Sequence, residues 1–513
     1  MQSKRDQVEA HVFMMSRLSS GMLLSDPDAP ESPSGRTGRG AAMGMLIGAL
    51  GAAGCVLFGL LSPGGDTSWK SADGLIVRKE TGARYLYQDG VLRPVRNYAS
   101  ARLIGGSDLS TTLVSGASLR GTPHGAAVGI TGAPDDLPAA RDVNDGPWLV
   151  CSGLLGAADG RRTTTTLVVG ARPSPGDGLT ARQALLVSAP DRTRYLVWRG
   201  RRLRLDTEHG ADRALGYGGV QVRAVSAEFL NTLPAGPDLT PPAVPGQGEK
   251  GPSLDGRPTR IGQLFTVQVP NSPVRYYLLS RQGLVAVTAT QAALALGDPR
   301  TREHSYAGHK PVPAPLATDT ADAHLAAGTT AAAPGWPASP PTLTGPAARE
   351  DVCTALRPTA KGPVTSVAVV STLDAAPAPT PEEAAPACSP VDAVAVRPGA
   401  GAVVRALSAD GGTLGDTTYL VTDAGVKYRM ASSAAVTALG YGGTDAVGLP
   451  SPLLAMLPTG PDLDPAAASG SAPVRTTSAG GCATGIVAGH KNAPTDGRSA
   501  ASPADNAPAA PTG

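Results

Sequence analysis

ALGYGG at residues 214–219 returns letter for letter at 438–443, and the blocks around it return in the same register. Upstream, Tyr195-Leu196-Val197 recurs as Tyr419-Leu420-Val421. Downstream, Leu233-Pro234 with Gly236-Pro237-Asp238-Leu239 recurs as Leu457-Pro458 with Gly460-Pro461-Asp462-Leu463. All three pairs are 224 residues apart, which marks an internal repeat. Weaker copies of the unit's core stand elsewhere. Arg84-Tyr85-Leu86-Tyr87 leads through Asp89-Gly90 to NYASARLIG, and Tyr276-Tyr277-Leu278-Leu279 leads through Gly283 to TATQAALALG.

Each copy reads as strand, tight turn, strand and a short helix rich in Ala and Leu. Gly90, Gly200, Gly283 and Gly425 occupy the turns, where positive φ would be tolerated. A further strand precedes each hairpin, at 75–78, 184–188, 264–269 and 402–407. The expected fold class is therefore α+β, with four βββα modules at 73–110, 181–240, 258–300 and 398–465. Their unequal spacing excludes a uniform solenoid. The inserts at 111–180 and 301–397 are expected to form two parts of a central domain, the second with Pro/Ala-rich linkers. A C-terminal segment at 466–513 is expected to be largely disordered after 491.

Residues 41–61 carry no charge and as a helix would reach about 31 Å, enough to cross a bilayer's hydrocarbon core. Arg36 and Arg39 precede this stretch, with Arg17, Lys4 and Arg5 further back, whereas Asp66 is the first charge after it. The basic side stays in the cytoplasm, so the reading is a single-pass cell-membrane protein with its N-terminus inside and its body outside. Gly44, Gly48 and Ala52 share one helical face at the spacing that lets helices approach closely. Residues 1–40 supply a cytoplasmic helix and tether. Val8, Val12, Met15, Leu18 and Met22 fall at helical spacing in it, an amphipathic stripe that a lone helix cannot bury.

Of the five cysteines, Cys55 lies in the span and four lie in the external body, Cys151, Cys353, Cys388 and Cys482. Four cysteines outside the membrane suggest disulfides, in any of three connectivities. A Cys151–Cys353 bridge would tie the first insert to the second, leaving Cys388 with Cys482. No pair has the CxxC spacing of a zinc knuckle or a redox centre.

Composition narrows the function classes. The chain has 513 residues with 64 Gly and 48 Pro, more than a fifth of the whole. Its 44 basic and 42 acidic residues nearly balance, which speaks against a nucleic-acid partner held by phosphate neutralisation. No Lys follows a P-loop pattern: Lys310, Lys427 and Lys491 are not followed by Ser or Thr. No GxSxG or HExxH occurs, and His304 and His309 are not on one helical face. His124 and His209 read as loop residues, and Asp238 and Asp462 as turn formers. No catalytic, cofactor or metal site is assigned, and the reading leans away from an enzyme.

Several segments then match one known family in its own order: SKRDQVEAHVFMMSRL at 3–18, the span, GVLRPVRNYASARLI at 90–104, GITGAPDDLP at 129–138, WLVC at 148–151 and the LGYGG…LPxGPDL blocks. The chain resembles the EccB component of actinobacterial type VII (ESX) secretion systems. The family's pattern differs at Arg96 and Thr131, which stand where PVLN and GIPGAP are usual. The resemblance implies a non-catalytic, structural subunit of an inner-membrane complex that exports WXG100-type proteins. Its implied partners are an EccC-type motor ATPase, EccD, EccE and copies of itself. It also implies an elongated external region with four repeat domains and a disulfide across the centre. Two other readings compete: a cell-wall-binding anchored protein, for which 4 Trp, 11 Tyr and 4 Phe offer little sugar-stacking surface, and an ATPase subunit of the same system.

Overall fold

A computed structural model of the chain describes residues 4–24, 33–61, 67–71, 74–143, 146–155, 162–171, 178–330, 334–347, 349–359, 362–372, 383–408 and 412–476. It begins with two helices, Lys4–Leu24 and Pro33–Leu61. Within the second, Thr37–Phe58 is long and apolar enough to cross a membrane, and none of it is buried against the protein. The first helix leaves Val8, Val12, Met15, Leu18 and Met22 more than half exposed, and Phe13 and Met14 as well. Phe13 and Met14 fall off the stripe expected from spacing, so the apolar surface wraps further around this helix than one face.

The body is mixed α+β, and its described residues form five sheets. In the first, Gly74–Arg78, Arg84–Gln88 and Val91–Pro94 run antiparallel in sequence order. Helix Tyr98–Gly105 follows, and Ser110–Val114 returns parallel to Gly74–Arg78. The second sheet repeats this path with Gln183–Ser188, Arg194–Trp198, Arg201–Arg204, helix Ala211–Ala214 and Arg223–Ala224. The third uses Leu264–Val267, Arg275–Ser280, Gly283–Val287, helix Ala289–Gly297 and Ala314–Pro315. The fourth uses Ala402–Leu407, Thr413–Val421, Lys427–Met430, helix Ser433–Ala438 and Val447–Pro450. Tight hairpins set these registers. Asp89-Gly90 and Arg199-Gly200 both hold two successive positive φ angles, the two-residue turn whose twist matches the strands it joins.

Each path continues past the point where the sequence reading ended its module. After the return strand comes a second short helix: Gly116–Leu119, Ala227–Asn231, Thr318–Ala323 or Ser451–Leu454. An extended segment then runs parallel beside the third strand. It bridges Leu92 to His124 and Val95 to Val128 in the first sheet, and Leu205 to Leu239 and Met430 to Leu463 in the second and fourth. In the third sheet it is the strand Leu325–Thr330. The repeated LPxGPDL blocks are this outer segment. Residues 111–128, 314–330 and 342–343, expected in the central domain, thus contribute to hairpin sheets. Parallel returns escape sequence reading because tight-turn residues mark only antiparallel neighbours, whereas a parallel strand arrives through a crossover.

The fifth sheet is ordered Val364–Ser371, Glu350–Arg357, Trp148–Leu155, Arg162–Val169, Ala393–Val396. Its second and third strands come from the two inserts and pair antiparallel, with Cys353 directly opposite Cys151 and joined to it by a disulfide. Val150-Cys151-Ser152 and Val352-Cys353-Thr354 correspond across this pairing, and each cysteine faces a hairpin partner 15 residues on, Thr166 and Ala368.

Side-chain burial lines the sheets up in a row. Ala99, Leu103 and Ile130 of the first share a core with Val403, Leu420 and Tyr428 of the fourth. Val404, Val421 and Leu449 of the fourth share another with Trp148, Val150 and Leu167 of the cystine sheet. On the cystine sheet's other flank, Val352 and Val367 pack with Leu185, Val197 and Phe229 of the second. Leu294 of the third closes the row against Leu196 and Leu203 of the second. The disulfide therefore sits at the middle of the row. Cys388 is also disulfide-bonded, while Cys55 is free. The C-terminal segment starts in helix Pro465–Ser469, whose Ala467 and Ala468 join the core around Ala99. Cys482 and the stretch after 491 lie outside the described residues.

Candidate functional site

The features that can do work in this chain are a membrane helix and the joints between sheets. On the helix, Gly44 and Gly48 have open space where a side chain would stand, and Ala52 is exposed beside them. Eight residues past the helix end, Trp69 is 2% exposed in the short turn Ser68–Lys70. It packs with Ile76, Leu92, Val114 and Leu119, and its ring meets Tyr87 edge-on at 5.3 Å. Eight residues reach at most about 28 Å, so Trp69 seats the first sheet close to the end of the membrane helix. Sequence reading missed this residue; a lone Trp directly after an apolar span was the available signal.

The joint between the first and fourth sheets is made of segments quoted above for their resemblance. Asn97 caps helix Tyr98–Gly105 by accepting from the Ser100 amide at 3.0 Å, and its Nδ2 donates to the Ile130 carbonyl at 2.7 Å. The Ser100 hydroxyl accepts from the Ile130 amide at 2.9 Å. Both side chains are buried, so each bond replaces one that water would have made. NYASAR thereby clamps GITGAP. Asp135 accepts from Arg84 and from the Tyr98 amide, and Pro138 offers its carbonyl to the Tyr441 hydroxyl at 2.7 Å. That tyrosine belongs to the second ALGYGG. Tyr217 of the first donates in the same manner to the Pro341 carbonyl at 2.8 Å. Burial raises the pKa of both phenols, keeping them protonated and able to donate.

Asp238 and Asp462, expected only as turn formers, carry ion pairs. Arg204 holds Asp238 and Arg429 holds Asp462, each arginine standing opposite the tyrosine of YLV, Tyr195 or Tyr419. The fourth-sheet pair is the deeper, with Asp462 2% exposed. A second correspondence involves a cation and a helix end. Arg202 Nη1 donates to the Leu230 carbonyl at 2.7 Å. Lys427 Nζ donates to the carbonyls of Leu454 and Leu457, both at 2.6 Å. Cations suit the last carbonyls of a helix. Lys427 is 3% exposed, and burial pulls its pKa from 10.5 down to about 8.

The residues tested for chemistry do not converge. His124 meets Tyr85 edge-on at 5.7 Å, and His209 Nδ1 lies 2.8 Å from Asp206. His304 is an exposed member of the wide turn Thr301–Ser305, and Lys310 is exposed. Among the described residues, no group of three or more His, Cys, Asp or Glu side chains could hold a metal ion. A polar cleft of about 370 Å³ lies on the second sheet between Arg192, Arg194, Arg204 and Glu208, but Arg194 and Arg204 are committed to Asp212 and Asp238.

Comparison with known proteins follows the whole chain. A family described as "Type VII secretion system ESX-1, transport TM domain B" matches residues 1–473. The ESX-3 secretion system ATPase EccB3 of Mycolicibacterium smegmatis is 28% identical over 480 residues, 90% of this chain and 89% of that protein. EccB3 of Mycobacterium tuberculosis is 31% identical over 307 residues, covering 56% of this chain and 55% of its own. Among solved structures, the EccB3 dimer from the ESX-3 core complex aligns with a TM-score of 0.61 at 26% identity, over 77% of this chain and 99% of that one. A chain of the intact ESX-5 inner membrane complex shares the fold over 98% of both, with a TM-score of 0.60 and 22% identity.

Proposed function

The chain belongs to the EccB family of type VII secretion subunits, and from that premise we propose that it is a single-pass scaffold of an ESX inner-membrane complex. The observation that carries this is continuity. One chain joins an exposed apolar helix to a row of sheets held by burial, a disulfide and interlocking hydrogen bonds, and related chains are found in ESX membrane complexes and as an EccB3 dimer. Its N-terminus lies in the cytoplasm and its body outside, as the flanking Arg36 and Arg39 favour. The exposed apolar helix Lys4–Leu24 docks beside the EccC-type motor, EccD and EccE. The Gly44-Gly48-Ala52 face packs on another membrane helix. The complex exports WXG100-type proteins, with this chain as structural support rather than catalyst.

The external region is read as four related modules around a disulfide-linked central domain, spanning 73–110, 181–240, 258–300 and 398–465 at their cores. The 224-residue correspondences support that reading, as do the four matching strand orders. A second cystine joins Cys388 to Cys482, the pairing that remains for a bonded Cys388 once the other cysteines of this sequence are placed. Protease added to intact protoplasts tests the topology. The body beyond Leu61 should be digested while an N-terminal tag survives, and the reverse pattern would overturn the proposal.

A further inference from the structure

We infer that a cleft on the second sheet binds the carboxylate side chain of an acidic peptide, with Arg182 and Arg199 as its two anchors. The cleft has a volume of about 290 Å³. Arg182, Trp198 and Arg199 line it from the second sheet, and Pro337, Ser339 and Pro340 from the segment that leads to Thr342–Leu343. None of its lining residues is acidic, and among the described residues neither guanidinium pairs with a carboxylate. The polar cleft on the same sheet is different, because its Arg194 and Arg204 already hold Asp212 and Asp238. Two uncompensated cations on one cleft repel each other, and an anion bound there removes that repulsion.

The walls are fixed before any ligand arrives. Trp198 is buried, and its Nε1 donates to the Ala181 carbonyl at 2.9 Å, which sets the ring. The Arg199 guanidinium lies over that ring, 4.7 Å from its centroid, a cation–π contact that holds the fork in place. Gly200 seats the same turn on the cystine sheet, since a Cβ there would stand 2.2 Å from the Thr365 carbonyl oxygen. In the proline wall, Pro337 and Pro341 are buried. The Tyr217 hydroxyl donates to the Pro341 carbonyl at 2.8 Å, and the Thr342 amide to the Arg182 carbonyl at 2.9 Å. The Thr290 amide, at the start of helix Ala289–Gly297, donates to the Ala338 carbonyl at 3.4 Å. The wall is thus tied to the second sheet and to the third, and binding needs little further ordering.

The lining chooses among anions. Guanidinium forks match a carboxylate bidentately. Phosphate sites are built from backbone amides, which Pro337, Pro340 and Pro341 lack. Proline rings instead offer apolar surface to the residues flanking an acidic side chain, and the exposed Ser339 and Thr342 offer hydroxyls to a peptide backbone. The volume lies near the lower end of small-ligand sites, about 300 Å³, which suits roughly two residues of an extended chain.

The test titrates acetyl-Ala-Glu-Ala-amide against the full chain in detergent, read by saturation-transfer NMR on the peptide. Binding should saturate, and it should weaken about tenfold for the glutamine counterpart of the peptide and for R182Q/R199Q. Each single variant should show part of that loss, and about 0.5 M salt should weaken binding to the wild type. R182Q/R199Q should keep the wild-type urea midpoint, so lost binding is not lost folding. No binding of the glutamate peptide up to about 10 mM would overturn the proposal. So would equal binding to wild type and R182Q/R199Q, or equal binding of the glutamate and glutamine peptides. Tighter binding of inorganic phosphate than of the glutamate peptide would overturn the carboxylate assignment.

Discussion

Lys427 gives the fold a pH dependence of predictable sign. Its amine is buried on the third strand of the fourth sheet, faces two carbonyls, and has its pKa pulled down to about 8 by desolvation. Between pH 8 and 10.5 the unfolded chain therefore holds a proton that the folded one has released, and stability rises with pH across that window. Each unit is worth about 1.4 kcal/mol, so moving from pH 7.5 to 9.5 should stabilise the wild type by roughly 2 kcal/mol. The window ends below the tyrosines for a reason. Burial raises Tyr428 to about 12 and raises Tyr217 and Tyr441 as well, so above pH 10 their ionisation in the unfolded chain works against the fold. Carboxylates do not titrate in this interval. Urea unfolding of the full chain in detergent, followed by the fluorescence of buried Trp148 and Trp69, reads the change. In K427R the guanidinium stays charged throughout, so that variant should lose most of the rise while keeping a cation at the helix end. Equal pH dependence in wild type and K427R would refute the reasoning.

Other expectations follow from the same geometry. The two Arg–Asp pairs should differ: R429A removes the guanidinium beside a buried Asp462 carboxylate and should cost about 3 kcal/mol, whereas R204A, at a half-exposed Asp238, should cost under about 1 kcal/mol in the same urea assay. Y441F and Y217F each leave a carbonyl at a joint without its hydroxyl donor and should lose about 1 kcal/mol by thermal unfolding. Replacing Cys151 and Cys353 with Ser opens a closure of 202 residues. The chain-entropy model sets that at about 5 kcal/mol, so the double variant's urea midpoint should fall well below that of the wild type. G44I/G48I should weaken assembly on native gels without moving the unfolding of the body, because those positions touch nothing within the chain.

The sequence made the antiparallel hairpins and their helices readable because turn glycines and alternating apolar residues are local signals. Gly90, Gly200 and Gly425 all sit at positive φ in the turns where they were expected. It could not reveal the parallel returns. Arg223–Ala224 and Ala314–Pro315 are two residues long, with no hairpin turn to announce them. For the same reason LPxGPDL was recognisable as a repeat while its role as an outer edge segment was not. The site shows a similar divide. Cys151 and Cys353 were candidates by count, and their direct opposition depends on two strands 202 residues apart choosing one register. Asp238 and Asp462 were visible as residues; their arginines were not, because ion pairing across strands leaves no spacing rule to read. Lys427 appeared only as a failed P-loop lysine, and its burial comes wholly from tertiary packing.

The central claim is that this chain is a built-in member of a secretion membrane complex. A tagged full-length copy, extracted gently from its own membranes and resolved on a native gel, tests it most directly. The account predicts a large species containing further copies of the chain together with the motor and the other membrane subunits, and its dispersal when the helix Lys4–Leu24 is deleted. Recovery of the chain alone, while the remaining subunits assemble and export without it, would contradict the account.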